Sequence, residues 1–276
     1  MTVIRGVRPC AVCGQFYSAD ADELRRDIKA LLEKVERKSV GGRIHGIISP
    51  HAGYMYSGFT AANGFALLQG STYSSVVIVS PSHREYFDGI SVFPGDGYET
   101  PLGEVTLNSP LREQLLSECS LVQASPAGHG EEHAVEVELP FLQEVLPEFS
   151  FLPIVIGDQK REYCFELGKA LASILKDKNA LLVASTDLSH YHSSKIANEL
   201  DSVMIEDVRI FDYERLMSDL EKGKTEACGG GPTVAVMAAL SHLGVDKMEI
   251  LHHCNSGDIT GDNNSVVGYL SAVAHE

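Results

Sequence analysis

The 276-residue chain has no basic stripe, no long apolar run and no cysteine framework, and each absence closes off a class of function. Lys and Arg number 22 against 38 Asp and Glu, a formal charge of −16. With nothing to neutralise a phosphate backbone, a nucleic-acid partner is excluded and a small-molecule or protein partner is expected. Nowhere do ~18 apolar residues run together, as a membrane span requires, and the start, Met1-Thr2-Val3-Ile4-Arg5-Gly6, lacks the apolar stretch of a signal peptide. The expectation is a soluble cytoplasmic protein with no membrane partner. Cysteines at 10, 13, 119, 164, 228 and 254 are too few and too scattered for a disulfide scaffold, so reduced thiols are expected. Repeats, low-complexity tracts and Ser/Pro-rich linkers are also missing, which favours one domain over residues 1–276.

What the chain does have is a set of strand-like runs alternating with helical spacing. Ile44–Ile48 and Val76-Val77-Ile78-Val79 are short and β-branched, as interior parallel strands are. Further strands are expected over Phe149–Ile156 and Ala180–Ser185, with Met248–Cys254 and Asn264–Ala272 closing the sheet. Helices are expected over Ala21–Arg37, Phe59–Leu68, Glu132–Leu146, Arg161–Leu175, Lys195–Val208, Asp212–Lys222 and Gly231–Leu243. Gly89–Phe93 and Gly103–Leu107 read as an antiparallel excursion that partly roofs the site. The alternation implies an α/β fold with a mostly parallel central sheet flanked by helices. In such sheets ligands bind outside the carboxyl ends of the strands.

Chemistry-bearing residues cluster at those ends. His51 follows Ile48-Ser49-Pro50 and His83 follows Ser80-Pro81-Ser82, where proline limits ring mobility and favours a preorganised metal ligand. Cys228 stands before Gly229-Gly230-Gly231-Pro232, at a helix start whose free N–H groups favour a thiolate. Three glycines in succession suggest close approach of a ligand. Asp187 and His190, three apart in a turn, suit a carboxylate orienting an imidazole acid or base. Glu131, Glu132, Glu136 and Glu138 read mainly as a solvated face, with His133 the residue among them to watch. Cys10-Ala11-Val12-Cys13 has redox-motif spacing but no second pair, and is read as coincidence. His252-His253-Cys254 lies in a strand-like run, where alternate residues face opposite sides and cannot share one metal.

These blocks carry a resemblance. Arg8-Pro9 with Gly14-Gln15-Phe16-Tyr17, Ser49-Pro50-His51-Ala52-Gly53-Tyr54, Pro81-Ser82-His83, Tyr98-Glu99-Thr100-Pro101-Leu102-Gly103, Glu132-His133, Leu139-Pro140-Phe141, Ser185-Thr186-Asp187-Leu188-Ser189-His190 and Cys228-Gly229 resemble, in order, the signature blocks of the Memo family. That family resembles the class III extradiol dioxygenases, non-haem iron enzymes that open catechol rings. The resemblance implies the dioxygenase-like α/β fold, metal ligands at His51, His83 and Cys228, and Asp187 and His190 beside them in the pocket. It also implies AMMECR1-like and radical SAM proteins as pathway partners. The expected cofactor is a transition metal, Fe(II) first, while a thiolate in place of the dioxygenases' carboxylate also suits copper or zinc. His190, oriented by Asp187, would move a proton on a phenol-like or other small substrate, with His133 shaping the pocket. Two other readings stay open: a metal-free cysteine hydrolase with Cys228 as nucleophile and His190 as base, and a binding or signalling protein that has kept the pocket for a peptide or metabolite.

Overall fold

The computed structural model describes residues 6–36 and 40–276. In chain order the strands are β1 (Val7–Arg8), β2 (Ile44–Ser49), β3 (Ser75–Pro81), β4 (Ile90–Val92), β5 (Gly97–Thr100), β6 (Gly103–Thr106), β7 (Val122–Ala124), β8 (Ser150–Ile156), β9 (Ala180–Ser185), β10 (His190–His192), β11 (Lys247–Asn255) and β12 (Val266–His275). The helices are α1 (Ala21–Glu33), α2 (Tyr54–Phe65), α3 (Ser109–Glu118), α4 (Leu139–Val145), α5 (Arg161–Leu175), α6 (Ser194–Arg209), α7 (Tyr213–Glu221), α8 (Gly230–His242) and α9 (Ser256–Thr260). None of the described helices is long and apolar enough to cross a membrane.

The fold is α/β, with a mixed central sheet flanked by helices. Its centre is parallel as expected: β2, β9, β3 and β8 lie side by side in that order and direction. The margins are antiparallel, where β12 closes on β2 and β4 closes on β8. Alternation along β3 shows why these runs are strands buried on both sides. Val77 and Val79 enter a core with Leu167, Leu171 and Val236, whereas Val76 and Ile78 enter another with Phe65 and Phe141. Both faces are therefore dry, which is why no polar residue interrupts the run.

Several expectations need correction. Gly89–Phe93 is not half of an excursion: β4 belongs to the main sheet, and the hairpin is β5 with β6, in a separate three-stranded sheet completed by β1. That hairpin does not line the central cavity. Residues 132–146 begin as an irregular loop and turn and become helical only over Glu136–Glu138 and α4, because Pro140 suits a first helical turn and not a helix interior. The first helix ends at Glu33, and Arg37 lies outside the described residues. A third strand-end segment, β10, was not expected; it pairs His190 with Val267 of β12.

Gly268 of β12 locks that segment in place. Its N–H donates to the Ser189 carbonyl at 3.0 Å and its carbonyl accepts from the Leu188 N–H at 2.8 Å. The buried Asp201 carboxylate on α6 presses against the Gly268 backbone while accepting from the Ser189 N–H at 3.0 Å. A Cβ at this position would overlap Asp201 Oδ2 well inside van der Waals contact. Gly268→Ala is therefore expected to cost about 1–3 kcal/mol through overpacking, read as a lower denaturant midpoint at unchanged slope. An unchanged midpoint would show that the Asp201 contact does not constrain the strand.

Candidate metal centre

The register of the central strands builds the site. Ser49 of β2 pairs with Ser185 of β9, so His51 and Asp187, each two residues further on, leave the sheet side by side. The loop after β3, the next strand, carries His83. Cys228 arrives from the other half of the chain, just before α8, its backbone N–H donating to the Asp187 carbonyl at 3.2 Å. One donor atom each from His51, His83 and Cys228 lies within 4.8 Å of the others. The three residues expected to hold a metal are thus brought together. Burial falls off across the three: His51 is buried, Cys228 half-buried, and His83 exposed.

The rear of each imidazole is tied down. His51 Nδ1 is 2.8 Å from Ser185 Oγ, which leaves Nε2 toward the cluster, 3.2 Å from Cys228 Sγ. Ser185 Oγ in turn lies 2.8 Å from the Glu138 carboxyl. His83 Nδ1 is 2.9 Å from Glu132 Oε1, and the His83 N–H donates to the other Glu132 oxygen. Fixing one ring nitrogen selects the tautomer that presents the other, a common arrangement behind metal-binding histidines.

Electrostatics favour neutral donors. Burial, helped by the neighbouring His83, His133 and His190, holds the His51 imidazole well below its usual range. Burial also pushes the Cys228 thiol up, and the nearby Asp187 adds to this. The helix start thus does not by itself produce the thiolate expected from sequence; desolvation outweighs it. Asp187 is raised to about 7 by burial, against the opposing donors His51 N–H and Ala52 N–H. Burial would likewise raise Glu132, but the hydrogen bond and charge of His83 outweigh it and bring the carboxyl to about 2.

Four expectations change here. Asp187 accepts from the His51 backbone N–H at 2.9 Å and makes no described hydrogen bond to the His190 ring, so it holds the His51 loop. Cys228 Sγ meets His51 and not His190, which leaves the hydrolase pair unformed. Glu132, Glu136 and Glu138 are not a solvated face; all three are buried, and only Glu131 is exposed. The three glycines make room for protein, not ligand: a Cβ at Gly229 would strike the Ser185 carbonyl, at Gly230 the Leu220 side chain, and at Gly231 Gln159 and Cys164.

A cavity of about 660 Å³ opens over the cluster. His133, His190 and Asp187 line it together with His51 and His83, and Tyr191, Tyr269 and Phe16 supply apolar wall. The His133 ring stacks on His83 at 4.7 Å and meets Phe16 at 4.8 Å. Its Nδ1 lies 3.3 Å from Glu132 but too poorly aligned to bond, and has no hydrogen-bond partner among the described residues. Burial lowers both His133, to about 4, and His190. Tyr191, next to His190, has φ of 63°, a left-handed conformation uncommon for a bulky residue. His252 and Cys254 stand apart from this cavity, both against Thr60 Oγ1. The signal that sequence reading passed over was Glu132, adjacent to His133 and buried behind His83.

The Memo-like protein family model matches residues 8–273. A MEMO1 family protein of Methanosarcina mazei is 36% identical over 271 residues, covering 97% of this chain and 98% of that one. One from Nitrosopumilus maritimus is 34% identical over 270 residues, covering 95% and 98%. An uncharacterized protein of Escherichia coli K12, known from its crystal structure, superposes with a TM-score of 0.54 over 84% of this chain and 99% of that one, at 16% identity, a likeness of fold alone. With signature positions from Arg8 to Cys228 inside the matched span and identity above one third over nearly the full length of a relative, the chain belongs to the Memo-like family.

Proposed function

We propose that this protein binds one transition-metal ion through His51, His83 and Cys228 and uses it in redox chemistry on a small, phenol-like substrate. The observation that carries the reading is the donor cluster itself: two imidazoles and a thiol with donor atoms within 4.8 Å, their other ring nitrogens fixed by Ser185 and Glu132. Two imidazoles and a sulfur suit iron, copper or zinc. A metal at this position would supply a Lewis acid and, if it is iron or copper, a one-electron redox centre.

The chain's own residues supply the rest. Cys228 is a neutral thiol on its own, so metal binding requires its proton to leave. Asp187, raised to about 7 and close enough to act on the thiol electrostatically, anchors the His51 backbone and defines the floor of the pocket. His190, half-buried on the cavity wall and held neutral by its burial, is placed to accept a proton from a substrate hydroxyl. His133, whose Nδ1 has no hydrogen-bond partner among the described residues, offers a second polar edge. The aromatic wall of Phe16, Tyr191 and Tyr269 favours a flat ligand. AMMECR1-like and radical SAM proteins, which the family resemblance suggested, belong to this proposal as pathway partners.

Anaerobically purified protein is expected to hold about one transition-metal ion per chain, and His51→Ala, His83→Ala and Cys228→Ala each to lose most of it by elemental analysis. Full metal content in a His51→Ala/Cys228→Ala variant would refute the ligand set. His190→Ala is expected to keep its metal yet lose roughly 10²- to 10⁴-fold in turnover, measured by oxygen uptake with whichever catechol a phenol screen identifies. Loss of metal in that variant would make His190 a ligand. Glu132→Gln keeps the shape but removes the charge behind His83, and is expected to weaken metal affinity by about 10- to 100-fold; unaltered affinity would reduce Glu132 to a structural anchor.

A further inference from the structure

Cys10 and Cys13 were expected to be an incidental pair of reduced thiols, but in the structure their sulfurs are bonded. Both residues are half-buried, within reach of a small thiol. A bridge across a separation of three adds little stability, because the restraint it places on the unfolded chain grows with loop length. The N–H groups between the two cysteines are also anchored without it. The buried Glu136 carboxylate accepts from the N–H groups of Ala11 and Val12, the two residues between the cysteines, at 2.7 and 3.0 Å. It also accepts from Arg8 at 2.7 Å and from the Tyr17 hydroxyl at 2.5 Å.

What the bridge does constrain is the wall of the pocket. The N–H groups of Gln15 and Phe16 both donate to the Val12 carbonyl inside the bridged loop, at 3.0 and 2.9 Å. Gln15 and Phe16 then line the cavity, and the Phe16 ring packs on His133, which stacks on His83. The Phe16 carbonyl accepts from the Tyr54 N–H at 2.8 Å, three residues beyond His51. The bridged loop is thus the outer support of one side of the cavity.

We propose that Cys10 and Cys13 form a thiol–disulfide exchange site whose redox state sets the mobility of the pocket wall at Gln15 and Phe16. The co-reactant is a dithiol or a pair of monothiols. A thiolate attacks one of the two sulfurs, the intramolecular bond breaks, and a mixed disulfide forms while the released cysteine takes up a proton. A second thiolate attacks the mixed disulfide and frees the other cysteine with a second proton. The chain gains two electrons and two protons, and the reductant becomes a disulfide. In the dithiol form the Val12 carbonyl is no longer held by a closed ring, and the turn through Phe16 opens more often. Because the coupling is reciprocal, a ligand packed against Phe16 favours the bridged form.

The test uses the full-length protein and needs no ligand. It is treated with dithiothreitol or with oxidised glutathione, alkylated with N-ethylmaleimide, mapped by mass spectrometry, and followed by amide hydrogen exchange. The expected result is labelling of Cys10 and Cys13 only after reduction, reversal by oxidised glutathione, and roughly 10-fold faster exchange over residues 14–17 in the dithiol form. Cys10→Ser/Cys13→Ser should exchange at the faster rate with or without reductant. Labelling before any reductant is added, no labelling after it, or reduction that leaves exchange over residues 14–17 unaltered would each overturn the proposal.

Discussion

Buried carboxylates from one short segment hold this molecule's working parts together. A carboxylate taken out of water is tolerated only when nearly every lone pair meets a donor, so Glu132 and Glu136 dictate what surrounds them, while Glu138 escapes the demand by holding its proton. Glu132 gathers the His83 backbone and ring and the N–H groups of His133 and Ala134. Glu136 gathers Arg8, Ala11, Val12 and Tyr17. Glu138 meets Ser185 behind His51 and is itself raised to about 8 by its burial, so that near neutral pH it is largely a neutral acid. One segment thereby joins the loop after β3, the end of β9 and the N-terminal turn, three regions far apart in the chain.

Much of the frame could be read from the residues alone. β-Branched runs ending in Ser-Pro-His and Ser-Pro-Ser-His announced β2 and β3 with His51 and His83 at their carboxyl ends, and the helix-start Cys228 was found by its surroundings. The carboxylates were misread for a physical reason. Four acids in eight residues look like a solvated face, and nothing local reveals partners that lie 47 to 128 positions away, such as Ser185 for Glu138 and Arg8 for Glu136. Partner choice at Asp187 was hidden in the same way: a carboxylate three residues from an imidazole suggests a pair, yet the register of β2 with β9 brings the His51 backbone closer.

The glycine run shows how one local pattern can serve two opposite arguments. Small residues mark close approach, and sequence does not say of what. Here the approaching groups are the Ser185 carbonyl, Leu220 and Gln159, so the run seats α8 against β9 and α7 and thereby delivers Cys228 to the histidines. The thiol's position is set by backbone packing behind it and not by space in front of it, which suits a donor that must stay put while its protonation changes.

The last strand adds a consequence for how the molecule comes into being. β12 pairs with β2, β10 and β11 at once, and it fixes the Leu188–His190 segment through Gly268 and Val267. A chain emerging from the ribosome has all three candidate metal donors synthesised by residue 228, but not the strand that shapes the wall beside them. Domains fold as units during synthesis, so the wall beside the histidines and thiol is not complete until β12 has emerged. Completion of the pocket is in this sense timed by translation, because the strand its wall needs is the one made latest among those described.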